Sequence, residues 1–520
     1  MKKNTKNIKS NKMFIFNILF VISLVVNTIM LSNLNNGEYI ENYLPITISS
    51  LFVSLIFGIY VAKKKFISNK LNNNNKVIYI FISIVFTILY MLKLFNYLSI
   101  DIYNLTSLKY IFNYQLCRLL LIILSSFSVV CIINYFVIVF AKFIANFIKK
   151  IDNSEKNFII IASMISLIVI TYVYCRTTVC WQGFDKVFSM DSMDISYYMY
   201  DVLWNSDIRH ILFGVIASPI GVVDSLFVKV FAGIDIYYVI LALFNSAMLI
   251  MIAIMLKRIL KNKMAMYLYS LSYPFMLYSL FIEKYQICVF LIVLFIYSKY
   301  EKDKEIENFS LISSIGCMIT TASIGLFAGS EKNIKKRIIE WIKYGLIFIS
   351  VCFVCGKGGV LITIPKQLNN LMGGIPIKNT LPQRFYGLSE LFYSSIFAPK
   401  IYNSDGVILW SNAAYYLNKL GLIIILVCIV GFILNRKENY SKFCGLWILT
   451  SFILFIFMNW YCFEAPLFNI YFSWAIISLV IMAIEKIKNK TIKQFIYYTL
   501  ITLMVIINVN QMFVLISNII

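Results

Sequence analysis

The densest run of polar side chains in this 520-residue chain is TVCWQGFDKVFSMDSMDISYYMYDVLWNSDIRH, from Thr178 to His210. On a helix over 191–209, Asp191, Asp194, Tyr198, Asp201, Asn205 and Arg209 follow three- and four-residue steps and share one face. Ile195, Met199, Val202 and Leu203 take the other. The chemistry open to such a face is proton abstraction by a carboxylate. A divalent ion would also suit it, but no ligand spacing is diagnostic, so neither a metal nor a cofactor is expected. The competing reading is a solvated face on an interfacial helix. Helices that merely rest on a membrane carry Lys and Arg opposite their apolar side, to suit anionic lipid. An acidic stripe gains nothing there, and clustered carboxylates raise one another's pKa.

Four further residues stand out. His210 is the only histidine in the chain, and is either a structural hydrogen-bonding group or a ligand contact. Arg384, in LPQRFYGLSELF, and Arg209 are cations that would meet an anion outside the bilayer. Glu464, in NWYCFEAPLFN, sits in a tight turn between two late apolar stretches and is expected to share a cavity with Asp194. Gly356, Gly358, Gly359, Gly373 and Gly374 suggest a mobile loop over 357–419. Cys352 and Cys355 have a CxxC spacing inside an apolar stretch, which reads as packing.

The elements that must position these residues are set by lipid. Sixty per cent of the residues are apolar, 14% are charged, and the mean hydropathy is +0.81. A globule of this length cannot hide so much apolar surface from water. Windows of about 20 nearly uncharged residues recur at 13–32, 45–62, 77–98, 119–141, 157–175, 236–256, 264–282, 285–299, 340–356, 420–435, 444–460, 468–484 and 492–515. The expected fold is an all-α polytopic membrane protein with about 13 transmembrane helices.

The net charge of +23 does not imply nucleic acid, because it is confined to alternate loops. Segments 1–12, 63–76, 142–156, 257–263, 299–307, 331–343, 435–442 and 485–493 hold 33 of the 47 Lys and Arg but 10 of the 24 Asp and Glu. By the positive-inside rule these loops, and the N-terminus, are cytoplasmic. Two apolar stretches break the alternation if they cross. Residues 211–232 are expected to lie in the outer interface, broken at Pro219, and 308–329 to form a re-entrant or interfacial hairpin on the inner side. Two long segments remain outside, 176–235 and 357–419. The chain thus divides into a four-span bundle over 1–156, core spans with the first exterior loop over 157–356, the second exterior loop over 357–419, and C-terminal spans over 420–520. No P-loop or GxGxxG turn appears, which argues against an ATP-driven pump.

The run Asp194-Ile-Ser-Tyr197-Tyr198, followed by Trp204, Arg209-His210 and Pro219, resembles the first exterior loop of GT-C-type integral membrane glycosyltransferases. These are similar to polyprenyl-phosphate-sugar-dependent mannosyltransferases and their bacterial relatives. Ile195 stands where the family commonly carries Glu, and four spans precede the loop where the family commonly has one. The resemblance implies a GT-C-like fold and a sugar donor on a polyprenyl phosphate. It also implies a glycan, lipid or protein acceptor at the outer face of the cell membrane. Asp194 would be the base, with Asp191 as substitute. Tyr197, Tyr198, Asp201, Arg209, His210, Arg384 and Glu464 would contact substrate. The competing functions are a transporter or flippase of an envelope glycolipid, whose ionisable groups belong at mid-span, and a polysaccharide polymerase.

Overall fold

The computed structural model describes residues 15–29, 31, 44–63, 114–177, 187–188, 210–217, 236–327, 334–364, 380–411, 417–453 and 465–520. These are mostly helical, and the strands among them form a single hairpin. In chain order the first helices are α1 (Ile15–Ile29), α2 (Leu44–Lys63), α3 (Tyr114–Lys149), α4 (Asn153–Tyr174) and α5 (Ile236–Leu260). Next come α6 (Lys263–Leu271), α7 (Tyr273–Leu280), α8 (Tyr285–Glu301), α9 (Lys304–Cys317) and α10 (Ala322–Phe327). They are followed by α11 (Ile334–Val354), α12 (Gly358–Ile362), α13 (Leu381–Ser394), β1 (Ile401–Ser404) and β2 (Val407–Trp410). The C-terminal part holds α14 (Lys419–Leu434), α15 (Asn439–Phe452), α16 (Ala465–Phe468), α17 (Ile470–Glu485), α18 (Lys490–Met504) and α19 (Asn510–Ile519).

By length and composition, three of the described helical stretches suffice to cross a membrane: Asn153–Tyr174, Tyr238–Leu260, and Lys490–Ile519, which unites α18 and α19. Shorter apolar helices occur at Ile15–Ile29, Ile48–Val61, Lys419–Leu434 and Ile470–Glu485. The expected stretch 77–98 lies outside the described residues.

The chain separates into two compact units, one drawn from 1–150, 201–215 and 345–367, the other from the remainder. In the first, Phe20 and Leu24 of α1, Cys131 of α3 and Val354 of α11 form the core, with Phe57 and Phe127 against it. Ser23 Oγ accepts from the Ser128 N–H at 2.7 Å, joining α1 to α3. Helix α11 stops at Gly356, whose φ of +71° is open to glycine at little cost. The Gly356 and Lys357 N–H groups return to the carbonyls of Phe353 and Cys352, which terminates the helix in a Schellman motif. Gly358 and Gly359 are then buried in the first turn of α12. These glycines are part of a packed helix stop, not of the mobile loop their composition suggested.

In the second unit, α8 and α17 are central. Residues 285–298 of α8 and nearly all of α17 are buried, as befits helices that are apolar on every side. Helices α5, α9, α14 and α15 pack around them. The periphery differs: Ile161, Met164, Ile165 and Ile168 of α4 and Phe495, Ile506 and Phe513 of the last helix are exposed. Such continuous apolar faces are not tolerated in water.

Three helices of this unit are interrupted. The stretch 264–282, expected as one span, breaks at Ser272, which is extended (φ −69°, ψ 148°). Pro274 is the cause: without an N–H it cannot bond the Ser270 carbonyl four residues back, and its ring clashes there, so the helix stops and α7 restarts with the proline in its first turn. Helix α9 ends at Met318 in a 3-10 turn, Ile319–Thr321, before α10 begins. Here the Thr321 hydroxyl reaches the Met318 carbonyl at 2.9 Å. Between α18 and α19 lies a π-helical segment, Val505–Val509, with Asn508 fully buried inside it.

Candidate functional site

Asp191, Asp194, Tyr197, Tyr198, Asp201, Arg209 and Glu464 lie outside the described residues. His210 is described within the first unit, where it is buried. Arg384 is described in the second, half-buried in the first turns of α13. What the structure defines is the frame in the second unit into which the segments flanking the acidic run and the turn at Glu464 lead.

That frame is α13 with the hairpin behind it. Pro382 and a capping box between Thr380 and Gln383 start the helix, the Gln383 side chain accepting from the Thr380 N–H at 2.7 Å. After Ser394 the chain turns through Ile396 and Ala398 into β1. The hairpin closes at Asp405-Gly406, with φ of +53° and +84°, the two positive values that an Asp-Gly turn between antiparallel strands needs.

Three connections converge on this frame. The first comes from the segment carrying the acidic run: Val187 bridges to Ile408, and the Phe188 N–H donates to the Ile408 carbonyl at 3.1 Å. The Phe188 ring lies 4.6 Å from that of Trp410. Phe188 itself is left-handed (φ +54°). The chain is therefore fixed three residues before Asp191. The second comes from the late turn. Helix α16, which starts one residue after Glu464, packs against α13, and Asn469 Nδ2 donates to the Ser394 carbonyl at 2.8 Å. The third comes from the break between α6 and α7. Asn508 Nδ2 donates to the Leu271 carbonyl left free at the break, at 2.7 Å, and to the Ile396 carbonyl at 2.8 Å. Asn508 Oδ1 accepts from the Ala398 N–H at 2.6 Å, and the Tyr273 N–H reaches the Ile396 carbonyl at 3.3 Å. One amide in a π-segment thus satisfies the broken helix and the turn after α13 together.

The titratable group at the centre is Glu390 of α13, 5% exposed. Burial pushes its carboxyl above the usual range, and the hydrogen bond from Asn418 only partly offsets this. The nearby Tyr393 phenol is pushed up to about 12 by burial and by the Glu390 charge. Arg384 is six positions earlier, roughly 240° around the helix, so the two do not share a face. Sequence reading passed over Glu390. Its signal was an acid in GLSELFYSSIF, with leucine and phenylalanine on either side. The signal for the hairpin was Asp405-Gly406.

At the other end of the unit the ionic groups are paired. Glu155 accepts from Arg258 at 2.7 and 3.1 Å and from Lys257 at 3.1 Å. Lys257 also bonds Asp152, whose carboxyl this contact holds far below the usual range. Asn262 and Tyr497 both bond Glu485, at 2.8 and 2.9 Å. Among the described residues no group of three His, Cys, Asp or Glu side chains is placed to hold a metal ion. Compared with known family models, curated proteins and solved structures, the chain matches none.

Proposed function

We propose that the chain is an integral membrane glycosyltransferase of about 13 spans, moving a sugar from a polyprenyl-phosphate donor to an envelope acceptor at the outer face. The observation that carries this reading is the pairing of Phe188 with Ile408 and Trp410. It ties the segment bearing Asp191 and Asp194 to the second long segment assigned outside, pairing residues 220 positions apart in sequence. Positioned chemistry requires such a frame. The sidedness rests on charge and contact together. Four Lys- and Arg-rich loops, 142–156, 257–263, 435–442 and 485–493, are linked through Glu155, Asn262, Glu485 and Lys486. The segments assigned outside meet at α13.

In this reading Asp194 removes the acceptor hydroxyl's proton as the oxygen attacks the anomeric carbon. The bond from that carbon to the phosphate oxygen breaks, and the phosphate departs with the electron pair. Arg209 and Arg384 as cations, and His210 as a hydrogen-bond donor, are available to the leaving phosphate. Tyr197, Tyr198, Asp201 and Glu464 would orient the sugar and acceptor. In cells, Asp194→Asn should abolish glycan transfer while membrane abundance stays at the wild-type level. Unchanged envelope glycan in that variant would sink the proposal.

A transporter or flippase is the second reading, and the broken helices favour it. Discontinuous helices line the sites of many carriers, and two occur here, at Ser272 and Met318. Uptake of a fluorescent polyprenyl-linked sugar by proteoliposomes that form no new glycosidic bond would select it.

A further inference from the structure

We propose that Glu390 and Tyr273 form a proton-binding site, in which the Glu390 carboxyl carries an exchangeable proton and the Tyr273 hydroxyl is its polar counterpart. Glu390 makes one side-chain hydrogen bond, from Asn418 Nδ2 at 2.9 Å, and no ion pair among the described residues. Asn418 cannot reverse its amide, because its Oδ1 already caps α14 by accepting from the Gly421 N–H at 3.1 Å. The amide therefore only donates to Glu390, and the second carboxyl oxygen accepts no hydrogen bond from the described residues. Helices α13 and α14 cross so closely at the neighbouring residue that a Cβ on Gly421 would lie 1.9 Å from the Ser389 carbonyl oxygen.

Tyr273 supplies the second observation. It stands at the first position of α7, immediately after the break, with no exposed surface and no partner for its hydroxyl. Its N–H donates to the Ile396 carbonyl at 3.3 Å, which sets it beside the turn that follows the helix carrying Glu390. Burial disfavours a carboxylate that has no cation beside it, and uptake of a proton removes that penalty. A neutral carboxyl is also a donor, and a phenol oxygen is an acceptor. One proton thus answers both deficits, directly or through a bridging water.

The other groups around Glu390 do not supply the missing charge. On α13 itself these are Arg384, on another face, and the neutral Tyr386 and Tyr393. From α14 there is Lys419, exposed to solvent, and α16 carries no titratable side chain among Ala465–Phe468. Glu464, one residue before α16, lies outside the described residues and would add negative charge. The site adjoins the Asn508 seam through Ile396, so gain or loss of the proton acts where the broken helix meets the external frame.

The test is an infrared titration of the full-length chain in phosphatidylethanolamine–phosphatidylglycerol nanodiscs, following the carbonyl stretch of protonated carboxyl groups. The wild type should keep such a band well above the ordinary glutamate range of about 4.3, and Glu390→Gln should lose it. Asn418→Ala should move its midpoint up by about one pH unit, since the bond it removes favours the charged form. Tyr273→Phe should shift the band's frequency. If Glu390→Gln fails to assemble, the other two variants decide. Absence of the band in wild type, its persistence in Glu390→Gln, or no response in either Asn418→Ala or Tyr273→Phe would overturn the proposal. So would removal of the band by sodium at fixed pH, which would make the site one for an alkali cation. No readout depends on sugar transfer, so the outcome is independent of the Asp194 experiment.

Discussion

Glu155 has 2% of its side chain exposed, and both its oxygens are taken by Arg258 and Lys257. Removing one member of a buried pair strands the others, which costs about 3 kcal/mol or more. Glu155→Gln should accordingly lower stability by about 3 kcal/mol, measured by equilibrium unfolding in mixed micelles, because Arg258 loses its ion pair while Lys257 keeps only Asp152. Two carboxyls give opposite pH dependences. The Asp152 carboxyl is held low, so its contribution is present above its ordinary value of 3.8 and fades as pH falls below it. The Glu390 carboxyl is raised, so the folded state is favoured below its ordinary value of 4.5 and loses that advantage as pH climbs towards the raised value. A thermal unfolding series from pH 4 to pH 8 should therefore show the Glu390→Gln variant gaining on wild type as pH rises (about one window of carboxyl titration). Parallel curves would contradict this.

At the scale of elements, close helix crossings and one polar seam hold the second unit together. A Cβ at Gly431 would lie 2.2 Å from the Leu479 carbonyl oxygen, and at Gly421 the clash is tighter still. Either glycine changed to alanine should lower the melting temperature by the equivalent of about 2 kcal/mol or more, since backbone cannot yield as a side chain can. Gly345→Ala is the control. Nothing lies within 4 Å of its added carbon, so helix propensity alone should raise stability by up to about 1 kcal/mol. Asn508→Leu removes three hydrogen bonds at once. Hydrogen exchange should then accelerate at Ala398 and Ile401 while the amides of α8 keep their protection. Equal protection in both variants would show that the seam is not what orders the turn after α13.

For the whole molecule, the paired ends predict a sidedness. In a cysteine-free background, single cysteines at positions 261, 437 and 488 should react with an impermeant maleimide only after the cells are opened. A cysteine at position 405 should react in intact cells. Labelling of 405 and 488 from the same side would refute the assignment on which the function rests. The prediction belongs to this scale because no single loop sets orientation. The Lys and Arg excess summed over all loops does.

Composition and periodicity were enough to show an all-α chain, and the starts and ends of α1, α2, α5, α8, α14 and α17 fall within a few residues of the expected apolar stretches. Those features are local: an apolar run of given length folds as a helix whatever its neighbours. The Asp405-Gly406 turn was equally local and equally readable. The interruption at Ser272 was half legible, because Pro274 marks where a helix must break but not what satisfies the carbonyl it frees. That partner is Asn508, more than 230 residues away. Glu390 looked like an ordinary acid of an external loop until Asn418, Tyr273 and the Gly421 crossing enclosed it, and burial is a property of the assembled helices. The sequence alone determined that the long apolar stretches are helices and on which alternate loops the positive charge collects. Only the tertiary structure decided which buried polar groups meet, because hydrogen bonds between distant segments leave no periodic trace along the chain.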